Sequence, residues 1–522
     1  MTASPGKDHF KDQALKTMVK GAGIGFAGQA ISNLSLYATR LVAARYLSPE
    51  EYGLIFLGMS ILNIVVVFAG LELSGAVNRY VSYYAGKNDK GKVKGVFVSS
   101  LKMSIPLAVL SFLAMYFLSD YIAVTFFHDQ SFAVILKIFS FTLPFFVAYK
   151  IFESGIIGFK RMDLCAGVRD LFRPLFTLVM VFVLLFFGFG LIGATVSYAL
   201  GFIVVAFVAY FVTEKKIFPI AKSRVRAAHM EKKMLKYSIP LMMYGIVLTF
   251  VLRIDTLMIG AMMTAKDVGL YQTALPTSQF LMIPLVALGG LFLPVTAELL
   301  AKKKTCEINE TYQIVTKWAF YVVFPMFLVL FLYSGAVINM LFGFEYIEAE
   351  TALSILSISS LVYMLNGFSM NILNLLEKNN FLLANSVITL AVAAVLNFML
   401  IPIFGINGAA IAMTISYSIF TSLCIIEAHH FCGGHPFHRD MLKAVVAGLI
   451  SVAVIYFATR FLFSDLTIVI LAPMLVIFIA FYSLLLLVMK GVGKEDIMIL
   501  RAIEKKTGLR IAFVRKLMKR FI

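Results

Sequence analysis

Charged residues are what this chain has least of. Of its 522 residues only 14% are Asp, Glu, Lys or Arg, against 61% hydrophobic, and mean hydropathy is +0.91. A string of water-soluble domains is excluded by that balance, and an all-α polytopic membrane protein is expected. Cysteine is scarce as well. Cys165, Cys306, Cys424 and Cys432 are scattered without a C-x-x-C pair, which excludes a disulfide framework and argues against zinc. The opening MTASPGKDHFKDQALKTMVK lacks the compact apolar core and cleavage site of a secretory signal, so the first apolar segment is expected to stay as a membrane helix. Also missing are a P-loop, a Ser-His-Asp order, paired catalytic carboxylates and any polar stretch able to house a soluble catalytic domain. A non-enzymatic protein is expected.

What is present is a succession of apolar segments near 21–46, 53–82, 95–118, 132–158, 168–188, 191–213, 237–263, 268–298, 313–339, 351–376, 381–402, 407–428, 442–461 and 467–489. Each is long enough for one bilayer crossing, so about 14 transmembrane helices are predicted, at roughly 20 residues each. The polar stretch EKKIFPIAKSRVRAAHMEKKMLK divides them into six and eight. The expected order is a cytoplasmic tail (1–20), an N-lobe (21–213), a basic cytoplasmic linker (214–236), a C-lobe (237–428), spans 13 and 14 (429–489) and a basic tail (490–522). A gapless internal match, LVAARYLSPEEYGLI at 41–55 on LMIGAMMTAKDVGLY at 257–271, suggests two pseudo-symmetric six-helix lobes of parallel orientation.

The net charge of +18 is carried in short clusters between apolar runs. With the N-terminus cytoplasmic, only Arg45, Lys266 and Arg460 fall at the outer side, where Glu50, Glu51, Asp120, Asp129, Glu345, Glu348, Glu350 and Asp465 mark the turns. This is the positive-inside bias of a multi-pass protein of the cell membrane with both termini cytoplasmic, not the footprint of a nucleic-acid partner. In the tail, Ile511, Val514, Met518 and Phe521 share a helical face among Arg and Lys residues, which predicts an anchor on anionic membrane lipids. Four of the seven histidines crowd into HHFCGGHPFH at 429–438, but nothing else in the chain supports metal chemistry.

The stretch KGAGIGFAGQAISNLSLYATRLVAARYLSPEEYGLIFLGMSILNI, with its R-x-L-x-P-x-E-Y-G turn from Arg45 to Gly53 and the later basic loop GKNDKGKVKG, resembles the start of polysaccharide-type flippases of the multidrug/oligosaccharidyl-lipid/polysaccharide exporter superfamily. The resemblance implies two lobes around a central cavity and alternating access. It also implies transfer of a polyprenyl-(pyro)phosphate-linked oligosaccharide from the inner to the outer leaflet for cell-surface glycan assembly, on an undecaprenyl or dolichyl carrier. No cofactor is implied; coupling to H+, Na+ or the membrane potential stays open, and glycan-assembly proteins are conceivable partners. Two alternatives stand beside it. One is a multidrug or cation exporter of the same superfamily; the other is a membrane glycosyltransferase or polymerase, against which the short external turns argue.

Inside the predicted spans lie Arg40, Arg79, Lys102, Lys137, Lys150 and Arg253, with few acids such as Glu72, Glu153 and Asp255. A charge at the bilayer centre costs at least about 2.5 to 3.5 kcal/mol, so such residues face a cavity or a partner, or snorkel from helix ends. Gln29, Asn33, Tyr37 and Arg40 follow i, i+4, i+8, i+11 spacing and form a polar stripe expected to face the interior. Surplus positive charge suits phosphate, which makes Arg40, Arg253, Arg79, Lys137, Lys150, Asn33 and Tyr37 candidates for a cationic substrate cavity. Arg40 and Arg253 are expected to share it. Glu72 and Arg79, seven apart, are expected on one face, with an internal pair as one reading. Arg253 and Asp255 project to different neighbours, and Asp255 and Glu72 are candidates for a coupling ion. Pro276, Pro284 and Pro294 within one segment predict a bent helix and candidate hinges.

Overall fold

Two short polar turns start helices in the same way. Glu51 accepts from the Ser48 amide at 3.0 Å while Ser48 Oγ accepts from the Glu51 amide at 3.3 Å, and Pro49 occupies the first turn. In the internally matched turn, Asp267 accepts from the Thr264 amide at 3.1 Å while Thr264 Oγ1 accepts from the Asp267 amide at 3.3 Å. Both are reciprocal caps that satisfy amides a helix start leaves orphaned. Five residues beyond Ser48 and Thr264 stand Gly53 and Gly269, and they meet. A Cβ on Gly53 would lie 1.8 Å from the Ala265 carbonyl oxygen, and one on Gly269 would lie 1.9 Å from that of Pro49. Such a contact is isologous: each helix presents the same surface to the other, as related repeats do.

The computed structural model describes residues 28–302, 304–462 and 468–491, with the side chains of 287, 291, 294, 305, 306, 455–462 and 468–475 left aside. The N-terminal tail and the amphipathic face at 511–521 lie outside the described residues, as does the side chain of Pro294. Everything regular among the described residues is helical. A first compact unit comprises Met1–Gln272 and Asn397–Ile406. It holds α1 (residues 28–46), α2 (Pro49–Gly70), α3 (Leu73–Gly86), α4 (Lys90–Phe117), α5 (Ser119–Phe127), α6 (Phe132–Ser140), α7 (Leu143–Gly158), α8 (Met162–Cys165), α9 (Arg173–Phe186), α10 (Gly190–Val212), α11 (Glu231–Met262) and the start of α12 (Ala265–Ser278). The second unit, Thr273–Leu396 with Asn407–Ile522, holds the rest of α12, α13 (Ile283–Ala301), α14 (Thr305–Leu332), α15 (Ser334–Leu341), α16 (Glu350–Leu375), most of α17 (Asn379–Phe404), α18 (Ile406–Cys432), α19 (Asp440–Leu462) and α20 (Ile468–Val488). Within the first unit α11 packs on α2 and α3.

Each of the predicted segments is helical along its described length, apart from short breaks. Nine helices are long and apolar enough to cross a membrane among the described residues, or ten if α6 and α7, bent by 45°, form one span. The chain is a multi-pass membrane protein. The other four expected spans fall short for visible reasons: α1, α19 and α20 adjoin undescribed residues, and α9 is shortened by a π-helical stretch over Ala166–Phe172. Pro174, in the first turn of α9, cannot donate to the carbonyl four residues back; the Arg173 amide bonds Val168 instead, five back.

One departure from the sequence reading positions the site, and a second segment is divided where its prolines predict a bend. The segment expected to run unbroken over 53–82 is cut at Leu71 and Glu72, which adopt φ of 49° and 46°. Non-glycine residues in that region carry a strain of order 1–3 kcal/mol each. The segment expected at 268–298 is also divided: Pro276 lies within α12, a 3-10 turn covers Gln279–Met282, and Pro284 sits in the first turn of α13. In the second unit, Phe292, Tyr312, Phe320 and Phe368 from α13, α14 and α16 form an aromatic core.

Candidate functional site

The break at Leu71 and Glu72 opens a cavity of about 130 Å³ within the first unit. Its polar lining is Asn63, Glu72, Ser74, Lys150, Thr249 and Arg253, contributed by α2, the break, α3, α7 and α11. The strained Glu72 is turned out of the helical path at the N-cap of α3, and its carboxylate accepts from Ser74 Oγ at 2.8 Å. Gly245 on α11 faces it, at a position where a Cβ would make an ordinary contact of 3.4 Å with Glu72 Oε2. Lys150 has no carboxylate within ion-pair distance among the described residues, and its ammonium lies 5.9 Å from the Phe146 ring centre. With two cations against one acid, the lining is net positive.

Lys150, Arg253 and Glu72 are thus brought together. The other candidates are not. Arg40 lies over the Phe56 ring at 4.1 Å and donates Nη1 to the carbonyl of Gln272 at 3.3 Å and to its Oε1 at 3.4 Å. Gln272 Nε2 in turn donates to Thr256 Oγ1 at 2.7 Å, so Arg40 is tied through one glutamine to the residue opposite it when the internal match is extended by one position. It does not line the cavity of Arg253. Lys137 is paired with Asp120 at 2.8 Å. Arg79 stacks on Tyr237 at 4.6 Å, and it forms no pair with Glu72, because the break rotates Glu72 off the face of α3. On α1 the packed face is Ser32, Ser35, Thr39 and Ala43. Asn33 stays exposed, accepting from Gln29 at 3.0 Å, and Tyr37 is half-buried.

Two residues beyond Arg253, Asp255 turns the other way and is buried. Its Oδ1 accepts from Asn397 Nδ2 at 2.6 Å and its Oδ2 from the Tyr271 hydroxyl at 3.1 Å. Both donors are neutral, and no Lys or Arg lies within ion-pair distance among the described residues. Asn397 Oδ1, buried beside it, has no hydrogen-bond partner.

Sequence reasoning passed over Asn63, Thr249, Gln272 and Asn397. Asn63 and Asn397 each interrupt an apolar run, ILNIVVVF and AVLNFML, which is the signal that marks a residue with a polar neighbour. It also passed over Lys317, 1% exposed on α14 in the second unit.

The fold is that of known transporters. Over 88% of this chain and 97% of the other, it superposes on the lipid II flippase MurJ in an inward closed conformation with a TM-score of 0.70 at 16% identity. An inward-facing multidrug resistance MATE family transporter of the MOP superfamily matches with a TM-score of 0.66 at 14% identity, over 79% of this chain and 98% of that one. In sequence, an uncharacterized membrane protein of Methanocaldococcus jannaschii is 24% identical over 86% of this chain and 90% of its own length. A probable low-salt glycan biosynthesis flippase of Haloferax volcanii is 27% identical over 34% of this chain and 37% of its own. Residues 18–300, more than half of the chain, match the model of the family described as polysaccharide biosynthesis protein, and the chain belongs to that family.

Proposed function

We propose that this protein is a lipid-linked glycan flippase, a transporter that carries a polyprenyl-(pyro)phosphate-linked oligosaccharide from the inner to the outer leaflet by alternating access. The observation that carries the reading is the net positive cavity, where Arg253 and Lys150 face a single carboxylate, Glu72. Guanidinium grips phosphate oxygens in pairs and keeps its charge when partly dehydrated. The likeness to a glycan biosynthesis flippase and to a lipid II flippase supports the same cargo class. A cation exporter would call for surplus acid at the site instead.

Arg253→Gln is expected to lower glycan delivery to the outer face by one to two decades at normal expression, as loss of a charged hydrogen bond of about 1.5 to 3 kcal/mol implies. Arg253→Lys should keep more activity. Full delivery by Arg253→Gln and Lys150→Gln together would refute the reading.

Asp255 is the residue we assign to coupling. Its carboxylate, held by neutral donors beside the unpartnered Asn397 Oδ1, offers oxygen ligands suited to a proton or a sodium ion. In proteoliposomes, Asp255→Asn should abolish the dependence of transport on an imposed ion gradient; a response equal to wild type would exclude Asp255 from coupling.

A further inference from the structure

At the far end of α3 from the cavity, Arg79, Tyr83 and Lys87 follow each other at i, i+4, i+8, with Tyr80 and Tyr84 alongside. The first turns of α11 add Lys233 and Tyr237, and the first turn of α4 adds Lys92. Cations and rings interleave: Arg79 lies over Tyr237 at 4.6 Å, Lys87 over Tyr83 at 4.5 Å, and Lys92 over Tyr84 at 5.3 Å. Lys233 lies 5.1 Å from the Tyr80 ring and donates to the Tyr84 hydroxyl at 2.9 Å. Tyr80 meets Tyr237 edge-on at 5.8 Å, closing the cluster across two helices.

All four cations are exposed, and only Lys92 has an acidic partner among the described residues, Asp89 at 2.8 Å. Stacking on tyrosine orients a cation without neutralising it, because the ring offers a quadrupole and not a charge. Gathering unneutralised cations repels, and a group bearing two or more negative charges relieves that repulsion better than a phosphodiester bearing one. The same two helices carry both this cluster and the cavity. Along α3, Tyr83 stands eleven residues from Glu72, about 17 Å, and along α11 Tyr237 stands sixteen from Arg253, about 24 Å.

We infer that the tyrosine and lysine cluster is a docking station for the diphosphate of a lipid-linked cargo, used before that group reaches Arg253 and Lys150; this rests on the cargo class proposed above. The station governs arrival, and the cavity governs residence.

The test is stopped-flow binding of geranylgeranyl diphosphate to the full chain in phosphatidylcholine nanodiscs, with a parallel arm in which phosphatidylglycerol replaces part of the lipid. Combined Lys87→Gln, Lys92→Gln and Lys233→Gln should slow association at least tenfold and flatten its salt dependence, leaving dissociation within twofold. The matching Lys→Arg triple should restore the association rate. Arg253→Gln should instead speed dissociation with association unchanged. Wild-type association in the Gln triple, or equal occupation of the cluster by phosphatidylglycerol, would overturn the docking station while leaving the cavity reading intact. No binding of the diphosphate by the wild type would overturn both.

Discussion

Replacing Gly269 by alanine would place a methyl group 1.9 Å from the Pro49 carbonyl oxygen and 2.8 Å from its carbon. That is short of ordinary contact by about 1.5 Å, and the obstacle is backbone, which has no rotamer to retreat into. The starts of α2 and α12 must therefore part. Overpacking of this kind costs about 1–3 kcal/mol where side chains yield, so the upper part of that range is expected here. Gly53→Ala meets Ala265 O at 1.8 Å and should cost about the same, since the contact is reciprocal. Once the helices have parted for one methyl, the second has room. The double variant should consequently be less destabilised than the two single effects added, with a coupling of about 1–2 kcal/mol in a double-mutant cycle. Thermal unfolding in detergent, followed by size-exclusion profile, reads all three. Gly290→Ala is the control: nothing stands within 4 Å of its Cβ, and alanine is the better helix former. Single alanine variants at Gly53 and Gly269 unfolding at the wild-type temperature, or strictly additive effects in the double variant, would show that the reciprocal crossing is not made.

Two further outcomes are expected. A Cβ on Gly95 would stand 2.2 Å from the Ala228 carbonyl oxygen, so Gly95→Ala should lift the linker off α4 and speed tryptic cleavage at Arg224 and Arg226; an unchanged digestion pattern would count against that packing. Asp89 caps α4, accepting from the Lys92 amide at 3.0 Å, and the Lys92 side chain together with that amide holds its carboxyl below the ordinary 3.8. A depressed acid stabilises the fold above its unfolded value and loses that contribution as pH falls through the folded one, so the first turn of α4 should fray only below about pH 4. Amide exchange at Lys92 between pH 6 and 3 checks this, and Asp89→Asn should remove the acid dependence.

Much of the architecture was legible locally. Apolar runs of spanning length and the internal match that aligns Gly53 with Gly269 each depend on a handful of neighbouring residues. The divergence of Arg253 and Asp255 follows from helical rotation alone, and the cavity and the Asn397 network show it. The polar stripe on α1 was equally readable as a stripe. Its surroundings were not, because which flank of α1 packs, here that of Ser32, Ser35 and Thr39, depends on helices distant in the sequence.

What the sequence determined by itself is therefore the class of protein, the helical segments and the set of intramembrane charges that had to find partners, since an apolar solvent penalises any that do not. Which partner each one found was decided by the tertiary structure. Arg40 reached Gln272, 232 positions away, Lys137 found Asp120 across a turn, and Lys150 and Arg253 line a cavity with Glu72. Several pairings satisfy the same penalty, and the choice among them depends on helix rotation and depth. Those depend on contacts such as the glycine crossing between residues 216 apart, which no local window contains.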